Sequence, residues 1–173
     1  AMSLLNYYVG VLRLDATQYE ELDNAVRQIL LKHHAHYQPA CKERLYQPRK
    51  ELGRGLHSAE YRSEHMLLLL HDTLKQGSAT STRRAAIIAV ERKAKTHLAL
   101  IHEFLAVKYS LPEPANCATL TVAQRARLYS EIRIKVLHKK LYKAAGNEAV
   151  SVRDSSLWLA HGNISPREEA SLC

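Results

Sequence analysis

The sequence has little of what interrupts or bends a chain: among 173 residues there are only 6 Gly and 5 Pro, and bulky aromatics are reduced to 1 Phe and 1 Trp beside 9 Tyr. A β-sandwich or barrel needs turn residues roughly every 8 to 12 positions, so this scarcity argues against both. Cysteine is scarce too. Cys41, Cys117 and Cys173 are odd in number and far apart, which argues against a disulfide framework and for a reducing compartment. Long apolar runs are missing: the longest, Met66 to Leu70, falls far short of the ~20 residues that cross a bilayer. Ala1-Met2-Ser3 has neither a basic nor an apolar leader character and reads as an expression remnant. No P-loop, dinucleotide glycine motif or pair of carboxylates flanked by apolar strands occurs, and no nucleophile stands out with a base and an orienting group. The expectation is a chain with no active site, cofactor, small-molecule substrate or membrane span of its own.

What remains is apolar enough to fold, at 46% hydrophobic residues, and strongly basic, with net charge +8 and pI ≈ 9.5. The class expected is all-α, a helical bundle of about six to seven helices with one long basic loop over 38–57. The charge is unevenly placed. Residues 1–57 carry +2, 58–79 carry −1, 80–145 carry +9 and 146–173 carry −2. Such a concentration suits a phosphate-binding surface, and equally a solvated helical face.

Helical spacing is legible from end to end. Leu4, Leu5, Tyr8, Val9 and Leu12 suggest a first helix. Asp15 is placed to cap a second, whose stripe Tyr19, Leu22, Val26, Ile29 and Leu30 runs to about His34. Pro39, Pro48, Gly53 and Gly55 break the period, with a short extended piece expected at Leu45-Tyr46. Ser58 caps the next helix, through Tyr61, His65, Leu68, Leu69 and Leu74, and Gly77 is suited to the left-handed stop. The Ser/Thr-rich joint 77–82 marks a boundary between a first body, 1–77, and a second, 81–173, packed on it. One long helix is expected over 81–109, ended by Pro112 and Pro114. Another starts at a Thr121 cap and reaches Ala145, with Val122, Ala126, Tyr129, Ile132, Val136 and Leu137 inward, closed by Gly146-Asn147. Two short helices, near 151–160 and 166–172, complete the chain.

Two constellations invite a chemical reading. His33, His34, His36 and His57 lack a Cys or carboxylate nearby to complete a tetrahedral metal set, so a basic, partly exposed helix end is the plainer meaning. Cys41 lies beside Lys42, a cation able to lower a thiol pKa. The more informative stretch is Lys42 to Leu56, where five basic residues, Tyr46 and two glycines fall within 15 positions. Guanidinium forks suit phosphate oxygens, a ring suits stacking, and glycines let main-chain amides approach a backbone. The same residues also suit a loop plugged into the core by Tyr46 and Leu56.

Leu22-Asp23, Arg27, Leu30-Leu31, Arg44-Leu45-Tyr46-Gln47-Pro48-Arg49, Gly53-Arg54-Gly55-Leu56 and Ser58-Ala59-Glu60 together resemble the segment after the catalytic palm in reverse transcriptases of non-LTR retrotransposons. Leu52 stands where that pattern has its first glycine, and Gln47 where it has an apolar residue. A weaker likeness, at Leu157-Trp158-Leu159 and Gly162 to Ala170, is to the segment before the zinc knuckle in elements with a restriction-like endonuclease. The resemblance implies a thumb-like three-helix bundle over 1–77 and a basic helical linker over 81–173. It further implies a non-catalytic fragment of an RNA-directed DNA polymerase, since the palm aspartates are not in this sequence. RNA or an RNA–DNA duplex, and the palm and fingers of the parent polyprotein, would be the partners, in an intracellular and nuclear setting. Candidate nucleic-acid contacts are Arg44, Tyr46, Arg49, Lys50, Arg54, Gly55, Arg84, Arg92, Lys95, Arg133, Lys139 and Lys140. The alternative is a helical protein-interaction scaffold with a basic face and no nucleic-acid role.

Overall fold

The computed structural model describes residues 2–38, 40–111, 115–136, 140, 147–162 and 164–172. The fold is all-α, with no strand among the described residues. In chain order the helices are α1 (Met2–Tyr8), α2 (Ala16–Lys32), α3 (Lys42–Tyr46), α4 (Ala59–Gln76), α5 (Thr82–Lys93), α6 (Ile101–Tyr109), α7 (Cys117–Ile134), α8 (Val152–Ser155), α9 (Leu157–His161) and α10 (Pro166–Leu172), with a 3-10 turn at Arg49–Glu51. Among the described residues no helix is long and apolar enough to cross a membrane.

Proximity along the backbone divides the chain into two compact units that interleave in sequence: residues 1–23 with 58–124, and 24–57 with 125–173. Chain order alone suggests two successive bodies, 1–77 and 81–173.

In the first unit the core is Val9, Tyr19, Leu67, Leu68, Ile101, Leu105 and Leu120, with Leu5, Met66, Leu98 and Phe104 packed against it. Beside this core α4 buries a charge. Glu64 is 1% exposed and is held from three sides: Lys108 Nζ pairs with both Glu60 and Glu64, Tyr109 donates its hydroxyl to Glu64 Oε2 at 2.8 Å, and Gln124 Nε2 donates to the same oxygen at 2.6 Å. A buried carboxylate is tolerable only when its lone pairs are so occupied. The inward face of α4 therefore mixes Ser63, Glu64 and His71 with Leu67 and Leu68, while Leu69 is exposed. Asp23, from α2, reaches across to the start of α4 and accepts from Ser58 Oγ at 2.5 Å, Ala59 N at 2.7 Å and Glu60 N at 3.2 Å. Ser58 is the expected N-cap, accepting from Tyr61 N at 3.1 Å.

Several boundaries differ from expectation. Gly77 has φ −92° rather than a left-handed conformation; a side chain there would meet the Arg84 guanidinium, which lies against it. The long helix over 81–109 is two helices. Its break is a Schellman motif, with Lys95 left-handed at φ 50°, Lys95 N donating to Arg92 O at 3.1 Å and Thr96 N to Glu91 O at 3.2 Å. The same device ends α2 at His34, φ 54°, with His34 N bonded to Leu31 O and Ala35 N to Leu30 O. The seventh helix begins at Cys117, and Thr121 lies inside it. Its cap is a reciprocal pair, Thr119 N to Asn116 Oδ1 at 2.8 Å and Asn116 N to Thr119 Oγ1 at 3.1 Å.

Along α7 the buried positions are Leu120, Gln124, Leu128 and Ile132, while Val122 and Val136 are 68% and 69% exposed and Ala126 also faces out. Of the expected inward set only Ile132 is fully buried; Leu137, the end at Ala145 and the Gly146 stop lie outside the described residues. Similarly Leu22, Val26 and Ile29 of α2 are at least 42% exposed; Tyr19 of that stripe is buried as expected, and Asp23, outside it, is buried too.

Candidate nucleic-acid interface

The second unit is built around the segment expected to be the basic loop. Leu45-Tyr46 is helical, in α3, rather than extended. Chain polarity reverses after it through the 3-10 turn and Leu52, which adopts the left-handed conformation at φ 61°. The returning strand of loop is pinned by Arg54 N to Arg44 O, Gly55 N to Gln47 O and Leu56 N to Leu45 O, each 2.8 Å. Gly53 is required here, because a Cβ would strike the Gln47 main-chain carbonyl, and Gly55 has φ 69°.

Within this knuckle most of the basic residues act as struts. Arg44 is 7% exposed and donates Nε and Nη2 to Leu52 O at 3.0 and 2.6 Å, so it closes the turn that Leu52 makes. Arg54 is 9% exposed; it donates to Ala35 O and pairs through Nε with Glu169 Oε1 at 3.3 Å. Arg49 keeps about half its side chain in solvent, donates to Leu159 O at 2.5 Å and pairs with Glu169 at 3.4 Å. Ser156 Oγ adds a bond to Lys50 O at 3.1 Å. The segments around Arg49 and Arg54 and around Leu159 and Glu169 are thus knit together.

From α7, Tyr129 donates to Glu51 Oε2 at 2.6 Å, Arg125 pairs with Glu51, and Lys135 pairs with Glu43. Burial works to raise the Glu43 pKa, but hydrogen bonds from Cys41 and Lys135 more than offset it, and the carboxyl titrates below its ordinary value. Cys41 moves the other way: burial and the adjacent Glu43 hold the thiol above its ordinary pKa, so it is a protonated, unreactive core residue despite Lys42 beside it.

The histidine cluster is a partly exposed helix end: His33, His34 and His57 are exposed and His36 is buried. Helix α2 stops at Lys32, so His33 and His36 share no helix face. His36 is 4% exposed, and burial, with the charges of Arg54 and Arg27, lowers its pKa and keeps it neutral.

The remaining candidates fall into two groups. In the second unit Lys50, Gly55, Arg133 and Lys140 are exposed, Tyr46 is half-buried, and Lys139 lies outside the described residues. In the first unit Arg84 and Arg92 sit on α5, a helix with no buried residue, together with Arg83 and Lys93, and Lys95 follows at its left-handed end. All five cations are exposed, and among the described residues none of them forms an ion pair. Arg83 and Lys93, not among the residues singled out from the sequence, belong with the other three; the signal for them is the charge excess of 80–145 rather than any motif.

Fold and charge together define a basic, all-α protein in which motif-bearing arginines brace a folded knuckle and unpaired cations are carried on a separate, unburied helix. No protein-family model, curated protein or solved structure matches the chain.

Proposed function

We propose that this chain is a non-catalytic nucleic-acid-binding segment, the thumb and linker of an RNA-directed DNA polymerase, gripping a primer–template duplex or the element RNA by its backbone. The observation that carries the reading is the cluster of five exposed cations, Arg83, Arg84, Arg92, Lys93 and Lys95, unpaired among the described residues, on and just after a helix with no fully buried residue. With these five side chains left in solvent, such a helix keeps its charge for a polyanion. Sequence-indifferent phosphate contact needs no more than that. Lys50 and the exposed half of Arg49 offer a second, smaller contact in the other unit. Arg44 and Arg54 serve this reading by shaping the knuckle, not by touching phosphate.

Fluorescence anisotropy with a labelled RNA–DNA duplex, titrated with salt, tests it. Affinity should fall linearly on a log–log plot, by about 0.9 per phosphate contact as on B-form DNA. Reversing the charges of Arg83, Arg84, Arg92 and Lys93 to Glu should flatten that slope while the circular dichroism is unchanged. Binding that ignores salt, or a reversed variant that binds as tightly, overturns the proposal.

The scaffold reading is favoured by a different observation: Leu4, Tyr7 and Val11 are 63%, 74% and 67% exposed. Failure to bind any duplex at low salt, with self-association in sedimentation, is the outcome that selects it.

A further inference from the structure

The first unit contains a second constellation, unrelated to the basic helix. His71 and Asp72, near the end of α4, meet His102, in the first turn of α6. Their ligating atoms lie within 4.8 Å of one another, the one such group of three found among the described residues. The Asp72 carboxylate oxygen Oδ1 is 2.9 Å from His102 Nε2 and 3.4 Å from His71 Nδ1. The two rings stand nearly edge to face, 4.8 Å between centroids at 69°.

We propose that His71, Asp72 and His102 bind a divalent transition-metal ion, Zn2+ in the first place, through His71 Nδ1, Asp72 Oδ1 and His102 Nε2, with water completing a tetrahedron.

The distances fit that chemistry. Zinc bonds to imidazole nitrogen and carboxylate oxygen of about 2.0–2.2 Å place the corners of a tetrahedron roughly 3.3–3.5 Å apart. The nitrogen–oxygen separations of 2.9 and 3.4 Å lie near this edge length, and with all three ligating atoms within 4.8 Å of one another, rotation of the side chains closes the set round an ion. Two imidazoles and one carboxylate are the donor set of three-ligand zinc sites that keep an open position. Hard, all-oxygen cations such as Mg2+ or Ca2+ are disfavoured by two nitrogens.

Burial is graded in the way an accessible metal site requires. The side chains of His71, His102 and Asp72 are 10%, 20% and 35% exposed, so two rings are fixed by their surroundings and the carboxylate opens the path to solvent.

The experiment is a titration of the purified, chelator-treated chain with ZnCl2 by calorimetry, and with Co2+ by visible absorption. One ion per chain is expected, with the intense d–d bands of a tetrahedral Co2+ site and a raised melting temperature on adding Zn2+. His102→Ala and Asp72→Asn should each weaken binding by at least about tenfold. A triple variant, His33→Ala, His34→Ala and His57→Ala, should bind as the parent does. Asp72→Asn is nearly isosteric, so it reports even where His102→Ala fails to fold. No binding by the parent chain, an octahedral Co2+ spectrum, unchanged affinity in Asp72→Asn, or equal loss in the triple variant each overturns the proposal.

Discussion

At the scale of single residues, the structure shows side chains whose role is set by geometry rather than by type. Leu52 occupies a left-handed backbone position, φ 61°, of the kind glycine adopts without strain. Two effects oppose each other in Leu52→Gly. Relief of the left-handed strain is worth about 1–2 kcal/mol, whereas removing a side chain that is only 9% exposed costs roughly 2–5 kcal/mol for the lost packing, and glycine's unfolded-state freedom adds about 0.5–1 kcal/mol. Packing wins. Leu52→Gly should destabilise by about 2 kcal/mol in urea denaturation, and a more stable variant would show that strain dominates instead. Tyr19 is the converse case: its ring is fully buried in the core, and its hydroxyl has no hydrogen-bond partner among the described residues. Tyr19→Phe removes a desolvated polar group and leaves the ring contacts, so a gain on the order of 1 kcal/mol is expected; a loss would reveal an ordered water on that oxygen. Of these residue roles, Ser58 as a cap was legible in the sequence. Asp23 as the group that receives the start of α4, and Arg44 as the strut under Leu52, were not, because each partner lies 8 or more positions away and pairing at that range leaves no local spacing pattern.

At the scale of elements, periodicity located the helices more reliably than their ends or their faces. The break between α5 and α6 is invisible in composition because a lysine, a good helix former, occupies the left-handed C′ position where glycine is usual. Lys95→Gly should therefore stabilise the protein by about 0.5–1 kcal/mol, since the conformation at φ 50° strains any Cβ. A raised melting temperature checks this, and a lowered one would mean that the Lys95 side chain makes a contact worth more than the strain. The start of α7 was missed for a related reason. Both Asn116 and Thr121 are cap formers, and only the reciprocal bond with Thr119 distinguishes them. The face of α7 was misread because Gln124 takes a buried position that a hydropathy stripe assigns to apolar residues, its amide satisfied by Glu64 and Tyr61 O. Once a polar residue enters the buried row, the apolar pattern points about one residue away from the true inward face.

At the scale of the whole molecule, the net charge separates into cations that hold the fold and cations left to solvent, and four histidines couple the fold to pH. His65, His71 and His97 in the first unit and His36 in the second all have pKa values lowered chiefly by burial. For such a group the unfolded chain takes up a proton near the ordinary value of about 6.5 while the folded chain resists it, so stability is complete above that pH and declines as pH falls toward the folded pKa. Two buried carboxyls bear on the acid side. Glu43, titrating below its ordinary value, contributes stability that is lost only at lower pH, as it protonates. Asp23, raised by burial against the hydrogen bonds from Ser58, Ala59 and Glu60, has the opposite sign and favours the fold as pH falls through the carboxylate range. Between about pH 6.5 and 5 the histidines therefore govern. Urea midpoints measured at pH 7.5, 6.5 and 5.5 should fall in that order, with the m-value unchanged. His97 is the sharpest probe, its ring packed edge-on against Phe104 at 4.7 Å and its Nε2 without a partner among the described residues. His97→Gln should flatten the decline, because one of the groups that charge on unfolding is gone; a decline as steep as the parent's would assign the acid sensitivity to His36, His65 and His71 instead.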